Sequence, residues 1–456
     1  MNGKIIMDDH TIPAFLVAGT HSGVGKTTVV LGLMAAFRER GLKVQPFKVG
    51  PDFIDPSHHT TICGRASRNL DTFMMGVDGV RRSFAGACAG ADVAIVEGVM
   101  GLFDGMDATE VASSAHVAKA LDIPVVLVIN VHGMSRSAAA LVQGFQSFDP
   151  DVKIAGVILN RVGSEKHLAA LRGSIKLPII GAIPRKKEIS LPSRHLGLQM
   201  AFESNHNVRA LSDLLERNSD LQKLLEMRAK VPTIELMQDA GTAGKTSVQK
   251  DVRIGIAMDE AFCFYYQDNI DSLKANGAAI VPFSPINDEM PEVDGLYIGG
   301  GYPELHADEL SEAPALPSIK NAAMDGMPIY GECGGLMYLS KSVLIDERKY
   351  KMCGVLPAET VMTSKLQALG YVIGNAARPN PLTDIGSEVR GHEFHYSRIE
   401  PEADSKYAYK FSRGRGIADG NDGMVEHNTL GAYLHAHFST MQTKRFIDSC
   451  RRYARR

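Results

Sequence analysis

The sequence predicts an α/β protein built as two consecutive domains, and three observations carry that prediction. Continuous Val/Ile/Leu runs separated by helix-like segments recur from residue 15 to residue 185, the pattern of a parallel sheet covered on both faces. A glycine-rich turn, GTHSGVGKT at 19–27, joins the first of these runs to the first helix-like segment. A second βα series opens at residue 252, after a charged, helical stretch that turns Gly/Thr/Ser-rich at 239–247, the composition of a linker. At 456 residues the chain exceeds the roughly 250–300 at which a single core stops growing. Domains are therefore expected at 1–235 and 252–456, with a linker at 236–251.

The first strand, 15–17, runs into the glycine turn, and 29–40 reads as the helix that follows. Gly19, Gly23 and Gly25 free the backbone to bend. Its N–H groups, the helix amino terminus, Lys26 and the hydroxyls of Thr27 and Thr28 then form a cradle for a polyphosphate and its Mg²⁺. The spacing is one residue longer than G-x-x-x-x-G-K-[ST], because the leading glycine is Gly19 and position 20 is Thr. An ordinary βα turn with a surface lysine is the bland rival, and the strand-to-helix context speaks against it. Next come a short strand at 42–49, a loop holding Asp52 and Asp55, and a strand at 91–98 that ends in Glu97 and leads to Asp104. Acids at the carboxyl ends of parallel strands lie where Mg²⁺ ligands belong. Apolar strands at 124–130 and 154–160 and a last strand with its exit turn at 181–185 complete the series.

Bulk composition narrows the partners. A formal net charge of −3 with 22% charged residues provides no broad basic field for nucleic acid and no long acidic tail, so a small-molecule substrate is expected. Residues 1–11 are polar and charged, and no stretch reaches about 18 uncharged apolar residues. The expectation is a cytoplasmic protein without a membrane partner. Six cysteines at irregular spacings, with no C-x-x-C pair, support neither a zinc ribbon nor a disulfide framework.

In the second domain, strands are expected at 252–258, 295–301 and 328–330. The last leads into Cys333, flanked by Gly331, Gly334 and Gly335 between strand and helix. Free cysteine is more often a core residue. These glycines instead permit the sharp turn of a nucleophile elbow, which exposes the sulfur at a helix amino terminus. The base should be a histidine from elsewhere, and the stretch 431–438 supplies His435 and His437.

The loop at 19–27 resembles that of dethiobiotin synthetase and its relatives. GECGGLMYL at 331–339, GGGYPE at 299–304 and YLHAHF at 433–438 resemble a triad-type glutamine amidotransferase domain. With KVGPDFIDP at 48–56, VEGVMGLFDG at 96–105, LPSRHLGL at 191–198 and GHEFHYS at 391–397, the chain is similar to the cobyrinate a,c-diamide synthases, including the methanogen form that amidates nickel-sirohydrochlorin. The resemblance spans about residues 13–440. It implies a P-loop amide synthetase domain followed by a glutaminase domain, acting on a corrinoid or sirohydrochlorin-type tetrapyrrole with ATP as substrate, Mg²⁺ and glutamine. A homodimer is left open.

A carboxylate would be activated as an acyl phosphate and aminated by ammonia released from glutamine. The resemblance places Asp52, Glu97 and Asp104 around Mg²⁺-ATP and the reacting carboxylate, with Thr27, Asp52 and Glu97 as metal ligands; caps or solvated loop charges are the bland reading of these acids. Cys333 would attack glutamine with His435 as base, and Gly300 or Gly301 with Gly334 would supply oxyanion donors. Asn160 reads the adenine or caps its strand, and Arg194 and His195 serve the macrocycle or the fold. One departure concerns the triad: where a His-x-Glu pair is usual, His437 follows His435, as orienter or as a structural aromatic contact. Two rival classes are a partition- or maturation-type P-loop ATPase, which leaves the Cys333 elbow without purpose, and a regulatory module with an inactive amidotransferase domain, from which the cysteine would be absent.

Overall fold

Strands buried on both faces carry no period-two alternation, and this accounts for the continuous apolar runs of the N-terminal half. The structure, a computed structural model, describes residues 11–185, 193–194, 197–198, 200–203, 207–231 and 251–456. The chain divides into two compact units, Met1–Ala243 and Gly244–Arg456. Of the linker expected at 236–251, only Asp251 lies within the described residues, and His195 lies outside them.

The first unit runs β1 (Thr11–Gly19), α1 (Lys26–Glu39), β2 (Val44–Val49), α2 (Ile54–Cys63), β3 (Arg68–Leu70), α3 (Gly76–Cys88), β4 (Val93–Glu97), α4 (Ser114–Leu121), β5 (Val125–Asn130), α5 (Arg136–Phe148), β6 (Ile154–Val162), α6 (Glu165–Arg172) and β7 (Ile179–Pro184). Beyond these lie β8 (Ser193–Arg194), β9 (Gly197–Leu198), α7 (Val208–Asn218), α8 (Leu221–Glu226) and β10 (Arg228–Lys230). The sheet order is β3-β2-β4-β1-β5-β6-β7, and its core pairs are parallel. The segment at 181–185 is not the last strand, because β10 returns antiparallel beside the start of β1, with Thr11 opposite Lys230. The sheet order brings the carboxyl ends of β2, β4, β1, β5 and β6 to one edge, where the glycine turn lies.

Helix α1 is buried almost all round, from Val29 to Phe37, which is why its sequence shows no narrow apolar stripe. It lies between the sheet and α7. Close approach depends on Gly32, where a Cβ would sit 2.5 Å from Leu215 Cδ2 and 2.9 Å from the Leu211 carbonyl oxygen.

The second unit runs β11 (Val252–Ala257), β12 (Phe262–Phe264), α9 (Gln267–Ala275), β13 (Ala278–Phe283), β14 (Gly295–Ile298), β15 (Gly300–Gly301), α10 (Ala307–Ser311), α11 (Ala315–Met324), β16 (Ile329–Glu332) and α12 (Gly334–Leu339). It continues through β17 (Ser342–Ile345), β18 (Arg348–Lys351), β19 (Ala358–Met362), β20 (Ala368–Ala376), β21 (Glu388–His395), β22 (Ser397–Pro401), β23 (Tyr407–Arg413), β24 (Asn421–Glu426), β25 (Thr429–Ala432), β26 (His435–Ala436) and α13 (Thr443–Ala454). Ten strands form one sheet, β13-β11-β14-β16-β25-β24-β23-β20-β21-β26. It is parallel from β13 to β25 and antiparallel from β25 to β26. The antiparallel arm brings β26, and with it His435, beside β21, with His392 opposite His435. Among the described residues no helix is long and apolar enough to cross a membrane.

Gly32→Ala tests the helix packing. Alanine favours a helix interior by about 0.5–1 kcal/mol over glycine, but overpacking costs about 1–3 kcal/mol, and the Leu211 carbonyl cannot rotate away. The variant is expected to unfold at lower urea concentration than the parent, whereas a raised midpoint would mean that α7 moves aside freely.

Candidate functional site

The phosphate turn has the backbone its glycines allow: Gly23 and Gly25 stand at φ 80° and 95°, a left-handed region that other residues enter at a cost. Gly25 is the N-cap of α1 and makes no side-chain cap bond, and the first turn of α1 carries no acid. Its N–H groups therefore present uncompensated positive potential at the turn. Asn160 comes from β6 and donates from Nδ2 to the Val24 carbonyl at 2.8 Å. A Cβ on Gly25 would meet that nitrogen at 2.3 Å, so the asparagine braces the turn. Gly19 is equally constrained, since a Cβ there would lie 2.6 Å from Val24 Cγ2. Lys26 folds back to donate to the Met100 carbonyl at 2.5 Å; its burial, then the nearby Lys48, lower its pKa. Thr28 is half-buried in the first turn.

Thr27 Oγ1 donates to Glu97 Oε1 at 2.6 Å, joining α1 to the end of β4. The other Glu97 oxygen lies 2.7 Å from His59 Nε2 on α2. Into this group projects Lys48 from β2, a residue that the sequence reading passed over. Its Nζ bonds Asp55 and lies 3.5 Å from both Asp52 Oδ2 and Glu97 Oε1. Burial opposes its charge, but Asp55, Glu97 and Asp52 more than offset that and hold its pKa above the usual lysine range. Burial likewise works against ionised Glu97, yet Lys48, His59 and Thr27 pull it down to about 2. Lys48 and His59 could have been suspected only from the acids near them in space, since neither neighbours Glu97 in sequence.

The predicted acids are thus placed differently from one another. Asp52 turns Oδ1 to the N–H groups of Ile54 and Asp55 at 2.9 and 3.2 Å, the geometry of a helix cap, and reaches the cluster through Lys48. Asp104 is exposed, and its Oδ2 accepts from Gly101 N–H at 2.8 Å. For Mg²⁺, Thr27 and Glu97 form a pair of hard oxygen donors beside the phosphate turn. No set of three His, Cys, Asp or Glu able to hold a metal occurs among the described residues. Two protein ligands with waters and substrate phosphates is the usual way this ion is held, and the residues fit it. Arg194 lies in the short strand pair β8–β9.

In the second unit the elbow is strained at its centre. Cys333 stands at φ 47°, ψ −94°, a conformation that costs a non-glycine residue about 1–3 kcal/mol. Glycines let the surroundings close over it. A Cβ on Gly335 would lie 2.2 Å from the Ile298 carbonyl oxygen, and one on Gly334 3.2 Å from Gly301 N. Cys333 N–H donates to the Ala432 carbonyl at 2.7 Å, tying the elbow to the segment that carries the histidine.

His435 is buried, and a Cβ on Gly300 would approach its Cε1 to 2.6 Å. The structure therefore brings together Cys333, His435, Gly300, Gly301 and Gly334. Burial opposes a charged ring, but the neighbouring Cys333 sulfur and Glu332 carboxylate more than offset it and push the His435 pKa up to about 10. His392 stacks on that ring at 4.8 Å between centroids and 17°. Its own pKa is lowered, by burial and then by His435. His437 points elsewhere: Nδ1 pairs with Ser439 Oγ at 2.7 Å, Nε2 is 3.6 Å from Asp268, and the ring packs on Tyr266. The carboxylate near His435 is that of Glu332, 3.8 Å from Nδ1.

Comparison with known proteins agrees with both halves. A nucleotide-binding domain profile described as CobQ/CobB/MinD/ParA matches residues 15–198, and a CobB/CobQ-like glutamine amidotransferase profile matches residues 253–443. The chain is 46% identical to the cobyrinate a,c-diamide synthase of Methanothermobacter thermautotrophicus over 92% of its length and 95% of that protein. It is 42% identical to the protein of the same name from Caldanaerobacter subterraneus subsp. tengcongensis, over 97% of its length and 99% of that protein. The corresponding Archaeoglobus fulgidus protein is also 42% identical, over 96% of this chain and 97% of that one.

Lys48→Met removes the buried cation while keeping an apolar stem of similar length. Glu97, held down to about 2 against an ordinary 4.5, contributes stability that is present above pH 4.5 and lost as the pH falls toward 2. Without Lys48 much of that contribution disappears, and stability should drop by about 3–5 kcal/mol at neutral pH. The deficit should shrink below pH 4.5, as the orphaned carboxylates take up protons. Denaturant titrations at pH 7 and pH 4 check both the size and the trend.

Proposed function

The chain belongs to the cobyrinate a,c-diamide synthase family of glutamine-dependent amide-forming ligases, and from that premise we propose that it amidates the a- and c-acetate carboxylates of cobyrinate, using ATP and glutamine. The observation that carries this reading is the pairing of two complementary centres on one chain. One is a cationic phosphate turn; the other is a strained thiol whose elbow is tied to the segment carrying a buried histidine.

A carboxylate resists ammonia because its leaving group would be oxide. In the N-terminal unit the substrate carboxylate oxygen attacks the γ-phosphorus of ATP, giving an acyl phosphate and ADP. The amides of the 19–25 turn and Lys26 hold the phosphates, and Thr27 and Glu97 would hold Mg²⁺, which would neutralise phosphate charge. Lys48 keeps the neighbouring acids paired and gives the site a second fixed cation. Ammonia then displaces phosphate from the acyl carbon, leaving the amide.

The ammonia comes from glutamine. The Cys333 sulfur attacks the side-chain amide carbon, and N–H groups of Gly301 and Gly334 receive the developing oxyanion. Protonated by His435, the amide nitrogen leaves as ammonia. Water, activated by the now neutral His435, cleaves the thioester and releases glutamate. Cytoplasmic location and the use of Mg²⁺ belong to the same reading. Nickel-sirohydrochlorin is the competing macrocycle. Incubation of each macrocycle with ATP, Mg²⁺ and amide-¹⁵N-glutamine, followed by mass spectrometry, tests the choice: two labelled amides on cobyrinate are expected, and labelling of the nickel compound alone would reverse it.

Division of labour between the centres predicts that Cys333→Ala abolishes glutamine-dependent synthesis yet retains synthesis from high ammonium. Lys26→Ala should depress both by roughly 10²-fold or more, the usual effect of removing one preorganised charge partner. Initial rates with the two nitrogen sources check this, and loss of both in a folded Cys333→Ala protein would refute it. One ATP site cannot phosphorylate two acetates at once, so a monoamide must form between cycles. With excess substrate, free monoamide should accumulate before diamide in a chromatographic time course.

A further inference from the structure

Glu332 immediately precedes the nucleophile and is buried to 1% exposure, in a place where no charged side chain survives without a use or a set of partners. Its partners are specific. Tyr330 donates from its hydroxyl to Oε1 at 2.7 Å, Tyr297 to Oε2 at 3.1 Å, and the Ala436 backbone N–H to Oε1 at 3.2 Å. Tyr297 is itself held from α9, where Asn269 donates to its hydroxyl at 3.4 Å, and the same Asn269 nitrogen donates to the Ala436 carbonyl at 2.9 Å. The carboxylate is thus fixed from β14, β16 and β26, and the Oε2 edge left by the tyrosine points to His435 Nδ1, 3.8 Å away.

His437, the residue standing where a triad glutamate would follow the histidine, is engaged with Ser439, Asp268 and Tyr266. Resting on the glutaminase reading above, we propose that Glu332 is the positioning carboxylate of this centre, holding His435 with Nδ1 inward and Nε2 toward the sulfur. The chain thereby supplies the third member of its triad from the residue before the nucleophile rather than from the residue two after the base. Such a carboxylate orients the ring and stabilises the imidazolium that forms when the thiol gives up its proton, without itself accepting it.

The groups that govern this ring are few. Cys333 at the elbow and Glu332 on β16 face it directly, His392 on β21 stacks on it, His395 on the same strand lies near, and Tyr297 and Tyr330 act through the carboxylate. Glu332→Gln preserves shape and one acceptor oxygen for a tyrosine hydroxyl but removes the charge. Glutamine-dependent kcat should fall by roughly 10²-fold with the KM for glutamine little changed, since general acid–base function is lost and binding is not. The alkaline limb of the glutamine-dependent kcat/KM profile should move to lower pH by roughly 1–3 pH units, the influence of one opposite charge at this range. Ammonium-dependent synthesis should be unchanged, a split that a merely structural defect in the glutaminase core would not give together with a moved pH limb.

His437→Ala is the control and should leave the limb in place. If Glu332→Gln keeps the parental kcat and pH limb, or if His437→Ala moves the limb instead, the proposal is wrong. Should Glu332→Gln lose its cooperative thermal transition, Tyr330→Phe decides: it keeps the carboxylate but loosens it, and an unmoved kcat there overturns the proposal. Continued use of glutamine by Cys333→Ala would instead overturn the glutaminase reading itself, so the two failures are distinguishable.

Discussion

A buried ammonium surrounded by three carboxylates is the constraint on which the N-terminal site depends. Lys48 is 4% exposed, and a lysine so placed is tolerated only where opposite charge and hydrogen bonds replace water. Each residue that meets this need lies on a different element: Asp55 on α2, Glu97 at the end of β4, Asp52 in the loop between β2 and α2. Glu97 then imposes the same demand on Thr27 and His59. Pairing of charge therefore aligns α1, α2, β2 and β4 at the sheet edge, where apolar packing alone would leave their ends free to slide. A site arranged this way is preorganised before ligand arrives, which is where electrostatic catalysis gains most.

The second unit solves a related problem with backbone strain. A thiol held at φ 47° relaxes unless its neighbours prevent it. Here they approach so closely that a methyl group on Gly300, Gly334 or Gly335 would lie 2.6, 3.0 or 2.2 Å from its nearest neighbour. Glycine in these places is a requirement of close packing around the sulfur and the imidazole. The two centres share little chemistry. Among the described residues, the first groups buried charges beside a glycine-rich turn, and the second carries a strained thiol near a buried histidine.

Much of this was legible in the sequence because it is local. Strand, turn and helix around GTHSGVGKT follow from apolar runs and glycine spacing over about a dozen residues, and the elbow at Cys333 follows from three glycines and a strand. The carboxyl-terminal strands were less visible. Strand β20 hides its alternation because an apolar residue also lies on its open face, Leu369 being exposed while Ala368 and Val372 are buried, and the antiparallel arm it belongs to is defined by pairings between residues dozens apart, such as Gly391 with Ala436.

What the sequence alone determined was the inventory: a phosphate turn, an acid at the end of a strand, a cysteine elbow and a histidine near the carboxyl terminus. Which side chains meet was decided by tertiary structure. Lys48 and Glu97 are 49 positions apart, and parallel pairing of β2 with β4 places them opposite one another. Glu332 and His435 meet because β16 pairs with β25, whose continuation into β26 carries the ring back over the carboxylate. A spacing motif records only neighbours along the chain, so it offered His437 two residues on, as orienter or as structural aromatic contact alike. Electrostatics and hydrogen bonding act through space, and the sheet register is what places Glu332 rather than His437 beside His435.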